Sequence, residues 1–181
     1  MKSVIRKIEK GINKFINLLS ITASWIIALF MLLLFIQVVL RYLFNSPVYG
    51  LDELVTAMMI WSMSIGWCTV YWANEHAVIE AIMKKAPPFF KHFMYHVTNI
   101  IVLVTHAVFI PGGLLLFKMQ NVMTPVGGLP FSKAWYYALP ILLMGIIMVI
   151  LSAFKTIGYV ITGDDKMIAP VTEEEGGIII D

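Results

Sequence analysis

Residues 18–40 read LLSITASWIIALFMLLLFIQVVL, and this stretch decides the fold. It holds 23 residues and no formal charge. A bilayer core about 30 Å thick is crossed by about 20 apolar residues in a helix. Lipid offers no partner to backbone amides, so such a segment satisfies them within itself and must be helical. A basic N-terminus precedes it, as in a secretory leader. The run is far longer than the 7–15 residues of a leader's apolar region, and no small-x-small cleavage site follows. The expectation is a retained first membrane span.

Three further segments have the same character: Leu54–Ala73, Val97–Phe117 and Ala134–Phe154. All four are continuous apolar runs rather than alternating ones, which argues against a β-barrel. The whole 181-residue chain agrees: 60% hydrophobic residues, 13% charged, mean hydropathy +0.85. Soluble domains carry roughly twice that share of charge. A net charge of +2 is too weak to argue for nucleic acid. Cys68 stands alone, so an internal disulfide is excluded, and it reads as a small packing residue. The expected fold class is an all-α membrane protein with four transmembrane helices.

Loop charge sets the expected direction. With the N-terminus cytoplasmic, ten of the thirteen Lys and Arg residues fall inside, and only Arg41, Lys118 and Lys133 fall outside. Both termini are therefore expected in the cytoplasm. Tyr42, Tyr49, Tyr71, Trp72, Tyr95 and Trp135 lie near the proposed interfaces. Ile5, Ile8, Ile12, Phe15 and Leu19 recur at helical steps, with Arg6, Lys7, Lys10 and Lys14 on other faces. This predicts an amphipathic interfacial helix over 1–17. The membrane domain spans 18–155, and a polar, acidic, partly disordered tail occupies 156–181. The second loop, Asn74 to His96, predicts a short horizontal helix broken by Pro87–Pro88. The third loop, rich in Gly and Pro, predicts a compact outer turn. Pro111 and Pro140 should bend their helices.

Ionisable groups within the spans are scarce. His106 is the acid/base residue placed deep, and it reads as a neutral histidine bonded to a neighbouring helix. Spans one, two and four contain no histidine, so a bis-histidine haem site has no second ligand, and no carboxylate joins His106 for a metal. The reading is no enzyme, no cofactor and no metal. A small multidrug-type exporter would require a carboxylate in a span, and a membrane redox subunit would require paired ligands; both are kept as alternatives. The polar residues that stand out cluster at the first hairpin. Gln37 and Arg41 end span one, Asp52 and Glu53 begin span two, and a short link lets Arg41 meet one of the acids. Acids at a helix start also suit its positive dipole end. The cluster reads as an orienting ion pair or a docking contact for another protein. In span two, Ser62, Gly66, Thr69 and Ala73 form a small-residue stripe, and Trp61 and Trp67 lie deep. Such stripes let membrane helices approach, within this chain or against a partner's helix.

These residues carry a resemblance. Val39-Leu40-Arg41-Tyr42-Leu43-Phe44-Asn45-Ser46-Pro47, followed by Asp52-Glu53-Leu54, resembles the first hairpin of the small membrane subunit of TRAP transporters (tripartite ATP-independent periplasmic transporters, the DctQ-like family). Trp61 and Gly66 fall where that family often has a Trp and a Gly. Glu75-His76-Ala77-Val78 looks like its motif after span two, and Thr124-Pro125-x-x-Gly128-Leu129-Pro130, then Tyr137 and Pro140, is similar to its last loop. Tyr49-Gly50-Leu51 stands where the family commonly has a Trp. The likeness covers about residues 18–155. It implies a three-part importer of the bacterial inner membrane. A periplasmic binding protein captures an organic anion such as a dicarboxylate, sialic acid or another sugar acid. A large membrane subunit moves it with sodium. This chain would clamp the large subunit as a non-catalytic scaffold among the membrane lipids. Residues implied in subunit contact or structure are Gln37, Arg41, Tyr42, Asn45, Pro47, Asp52, Glu53, Trp61, Ser62, Gly66, Thr69 and His76.

Overall fold

The computed structural model describes residues 2–73 and 87–162. These form helices α1 (Lys2–Tyr42), α2 (Leu51–Trp72), α3 (Pro88–Asn121) and α4 (Leu139–Thr162). A π-helical turn, Ala134–Ala138, leads into α4. All four helices are long and apolar enough to cross a membrane. The expected spans largely coincide with these helices, with Ala73 capping α2 and Ala134–Ala138 forming the π-turn before α4, and α1, α3 and α4 run on beyond them.

The extensions change three expectations. α1 is one unbroken helix of 41 residues, with no boundary at residue 17. Part of the apolar stripe expected to face lipid packs on protein instead: Ile5 is buried against Phe154, Tyr159 and Ile161, and Ile12 and Leu19 pack on the cluster around the buried Ile16. Pro87 and Pro88 begin α3 rather than interrupt a loop helix. A proline at the first helical position loses only an amide that had no helical partner anyway. Phe89, Phe90 and Phe93 are therefore first turns of α3; the rest of the expected horizontal segment lies outside the described residues. Pro111 sits inside α3, whereas Pro140 follows the π-turn, in which the Leu139 N–H donates to Ala134 O. That wide turn gives room for a ring that would otherwise press on the preceding carbonyls.

The helices stand in a row. α1 packs on α2, α2 on α4, and α4 on α3, so α1 and α3 are the outer members. α4 is the buried centre, with Met148 and Ser152 fully covered. Ile16, Cys68, Tyr71, Met148 and Leu151 form the main apolar core. Backbones of α3 and α4 approach closely at glycines: a Cβ on Gly113 would lie 3.2 Å from Leu142 Cβ, and one on Gly145 would lie 3.3 Å from Phe109 Cβ. Small residues permit this contact, where packing rather than water drives association.

Candidate functional site

Two polar clusters hold the row, one at each end. The first is at the α1–α2 hairpin. Just past the end of α1, Asn45 takes a left-handed conformation (φ 48°) that turns the link, a conformation Asn tolerates better than most residues. The Ser46 N–H then donates to Leu40 O at 3.0 Å. Gln37, 2% exposed, bonds the Val48 backbone both ways: Nε2–H donates to Val48 O at 3.2 Å, and Val48 N–H donates to Oε1 at 3.3 Å. This side chain pins the returning link against α1. Arg41 pairs with Asp52 at 2.5 Å, and both side chains are about half exposed. Tyr42 is largely exposed at the end of α1.

Glu53 does something the sequence reading did not foresee. Its Oε2 accepts the Gly127 N–H at 2.7 Å, and Lys133 Nζ lies 3.7 Å from Oε1. The third loop is thus latched onto the first hairpin. The Tyr49 hydroxyl donates to Val126 O, and Tyr137 reaches Glu53 O at 3.5 Å. The latch needs two glycines. Gly50 has φ 83°, and a Cβ on it would strike the Gly127 carbonyl; a Cβ on Gly127 would strike Gly50 Cα. Gln37, Arg41, Pro47, Tyr49, Asp52 and Glu53 help line an open cleft of about 370 Å³ here.

The second cluster is at the end of the row where α1 begins and α4 ends. Asn99, 6% exposed, accepts from the Tyr71 hydroxyl and from Ser152 Oγ at 3.0 Å, and donates to Thr156 Oγ1 at 2.5 Å. It ties α2, α3 and α4 together. Lys155 was expected in a cytoplasmic segment. It is instead inside α4, 4% exposed, with Nζ–H donating to Tyr71 O at 2.7 Å and Trp72 O at 3.1 Å. Those are the last carbonyls of α2, the negative end of its dipole, which is where a buried cation is best placed. The ammonium also sits 4.6 Å from the Tyr71 ring centre. Trp72 Nε1–H donates to Asn13 Oδ1 on α1.

The remaining expected residues are dispersed. Ser62 is buried and donates to Met59 O; Thr69 donates to Gly66 O, both within α2. Among the described residues, and its own helical turn aside, nothing comes within 4 Å of a Cβ built on Gly66, so the stripe is not a packing seam between the described helices there. Trp61 is half-buried, Trp67 half exposed. His76 lies outside the described residues. His106 is buried but bonds its own helix, not a neighbour: Nδ1 lies 2.8 Å from Val102 O, and since a carbonyl only accepts, Nδ1 carries the proton. Among the described residues no three of His, Cys, Asp and Glu gather as metal ligands would. Asn99 and Lys155 were the residues missed. An asparagine in an apolar span was the visible signal for the first; the helical pattern running past Phe154 was the signal for the second.

The fold therefore defines a multi-pass membrane protein whose polar side chains join its own helices and loops. The family model described as "Tripartite ATP-independent periplasmic transporters, DctQ component" matches residues 30–157, and the chain belongs to that family. It is also 27% identical over 164 residues to a Haemophilus influenzae protein assigned as a TRAP transporter small permease protein, covering 90% of this chain and 100% of that one.

Proposed function

We propose that this chain is the non-catalytic brace of a TRAP importer, held against the large membrane subunit in the bacterial inner membrane. Both termini are cytoplasmic, and the hairpin cluster is periplasmic. Residues 1–17 form the membrane-surface part, 18–155 the membrane unit and 156–181 the tail. The assembly takes up an organic anion (a dicarboxylate, sialic acid or another sugar acid) with sodium, delivered by a periplasmic binding protein. The observation that carries this reading is the latched row. Polar clusters lock the helices at both ends, while apolar side chains such as Phe35, Trp67, Val104 and Val108 face outward. A rigid row with apolar faces suits a support for a moving neighbour better than a mover. The outer cluster offers that neighbour the half-exposed Arg41–Asp52 pair, while Gln37 and Glu53 hold the hairpin and the third loop in place behind it.

Co-expression with a large TRAP membrane subunit from the same organism, followed by purification on a tag on this chain, tests the reading. The expected result is a stable complex, with sodium-dependent uptake in liposomes that needs all three components. Uptake by this chain alone would overturn it.

A further inference from the structure

α1 runs past the membrane by far more than a span requires. Forty-one residues at 1.5 Å each reach about 60 Å, twice a bilayer's hydrocarbon core. At about 100° per residue, Arg6, Lys10, Lys14 and Lys7 fall within one arc of about 100°. All four are exposed. The residues that pack on the protein, Ile5, Ile16 and Ala23, fall in nearly the opposite arc. Because α1 is an outer member of the row, the cationic face looks away from the protein. Glu9, the acidic residue of this helix, lies on the flank nearer the packed face.

The level of this face is set by two observations. Trp72 at the end of α2 bonds Asn13, which places an interface-favouring side chain one turn or less from Lys10 and Lys14. Directly along the same arc lie Ile21 (50% exposed) and Trp25 (74% exposed). From Lys14 to Trp25 the rise is about 16 Å, one acyl chain of a single leaflet. Cations at headgroup level above an exposed apolar track match one ligand in both halves.

We propose that this face of α1 is a binding site for an anionic phospholipid. The headgroup phosphate is held by Arg6, Lys7, Lys10 and Lys14, and a chain lies along Ile21 and Trp25. The site rests on the membrane reading but not on the brace. A zwitterionic lipid carries its own cation and gains less from four of them.

Trp25 is the reporter. The full chain in nanodiscs is given a small fraction of chain-brominated phosphatidylglycerol or, separately, chain-brominated phosphatidylcholine. Quenching that disappears in Trp25→Phe belongs to Trp25. The expected result is stronger Trp25 quenching by the phosphatidylglycerol. That preference should fall roughly thirtyfold in Lys10→Gln/Lys14→Gln. Lys10→Arg/Lys14→Arg should keep it, and high salt should weaken it. Those Gln variants leave Arg6 and Lys7 to direct insertion. Equal quenching by both lipids overturns the site, as does a preference that survives the Gln pair. If the acidic residues 163–181 occupied the face instead, the preference would emerge only on ending the chain at Thr162, which also overturns it. Quenching by neither lipid would refute the membrane placement itself.

Discussion

Asn99→Leu tests the inner clasp directly. Leucine keeps the branched outline of asparagine, so no cavity forms; its bulkier methyl groups can only add to the cost of the lost polarity. Asn99 gives up four side-chain bonds: from the Tyr71 hydroxyl, from Ser152 Oγ, to Thr156 Oγ1 and to Ser152 O at 3.3 Å. Interhelical hydrogen bonds in membrane proteins average about 0.6 kcal/mol and reach about 1.7. Four average bonds give about 2.4 kcal/mol. Two partners keep alternatives, since Ser152 Oγ still reaches Asn99 O at 3.0 Å and Thr156 Oγ1 still reaches Ser152 O at 2.9 Å. The expected loss is therefore about 2 kcal/mol, a roughly thirtyfold shift toward the unfolded state. Reversible unfolding in mixed micelles, titrated with SDS and followed by tryptophan fluorescence, measures it. A cycle with Tyr71→Phe isolates the pair, with an expected coupling of about 0.6–1.7 kcal/mol. A change below about 0.5 kcal/mol together with zero coupling would refute the claim that Asn99 joins α2, α3 and α4.

Three further outcomes follow from the same contacts. Lys155→Glu places an anion against the last carbonyls of α2 and should cost at least about 3 kcal/mol, abolishing accumulation in the membrane; Lys155→Met also relieves the burial of a charge and should accumulate near normally. Equal accumulation of the two, by blotting membranes, would be the contrary result. Gly127→Ala forces the third loop off Gly50 and should destabilise by about 1–3 kcal/mol, with protease cutting within residues 122–133 as the readout. Arg41→Ala should change the chain's own stability by less than about 1 kcal/mol, because its ion pair with Asp52 is half exposed, yet lower the yield of complex with the large subunit. Normal complex yield and uptake would remove the docking role.

The sequence by itself determined that this is a multi-pass membrane chain with four helices long and apolar enough to cross the bilayer. The reason is local: a run of some twenty uncharged apolar residues has one satisfactory state in lipid, whatever surrounds it. The pairing of Arg41 with an acid was legible for a similar reason, since the link between α1 and α2 is short. Only the tertiary structure chose Asp52 for it and sent Glu53 to Gly127, 74 positions along the chain. It also decided the row. Apolar faces of α1 and α3 read alike in composition, and which neighbour each meets depends on side chains brought together from distant segments. Lys155 shows the limit best: a lysine just beyond an apolar run looks like a solvated anchor, and it becomes a buried cap because α2 ends beside it. Burial in lipid is a property of a segment, whereas contact is a property of two.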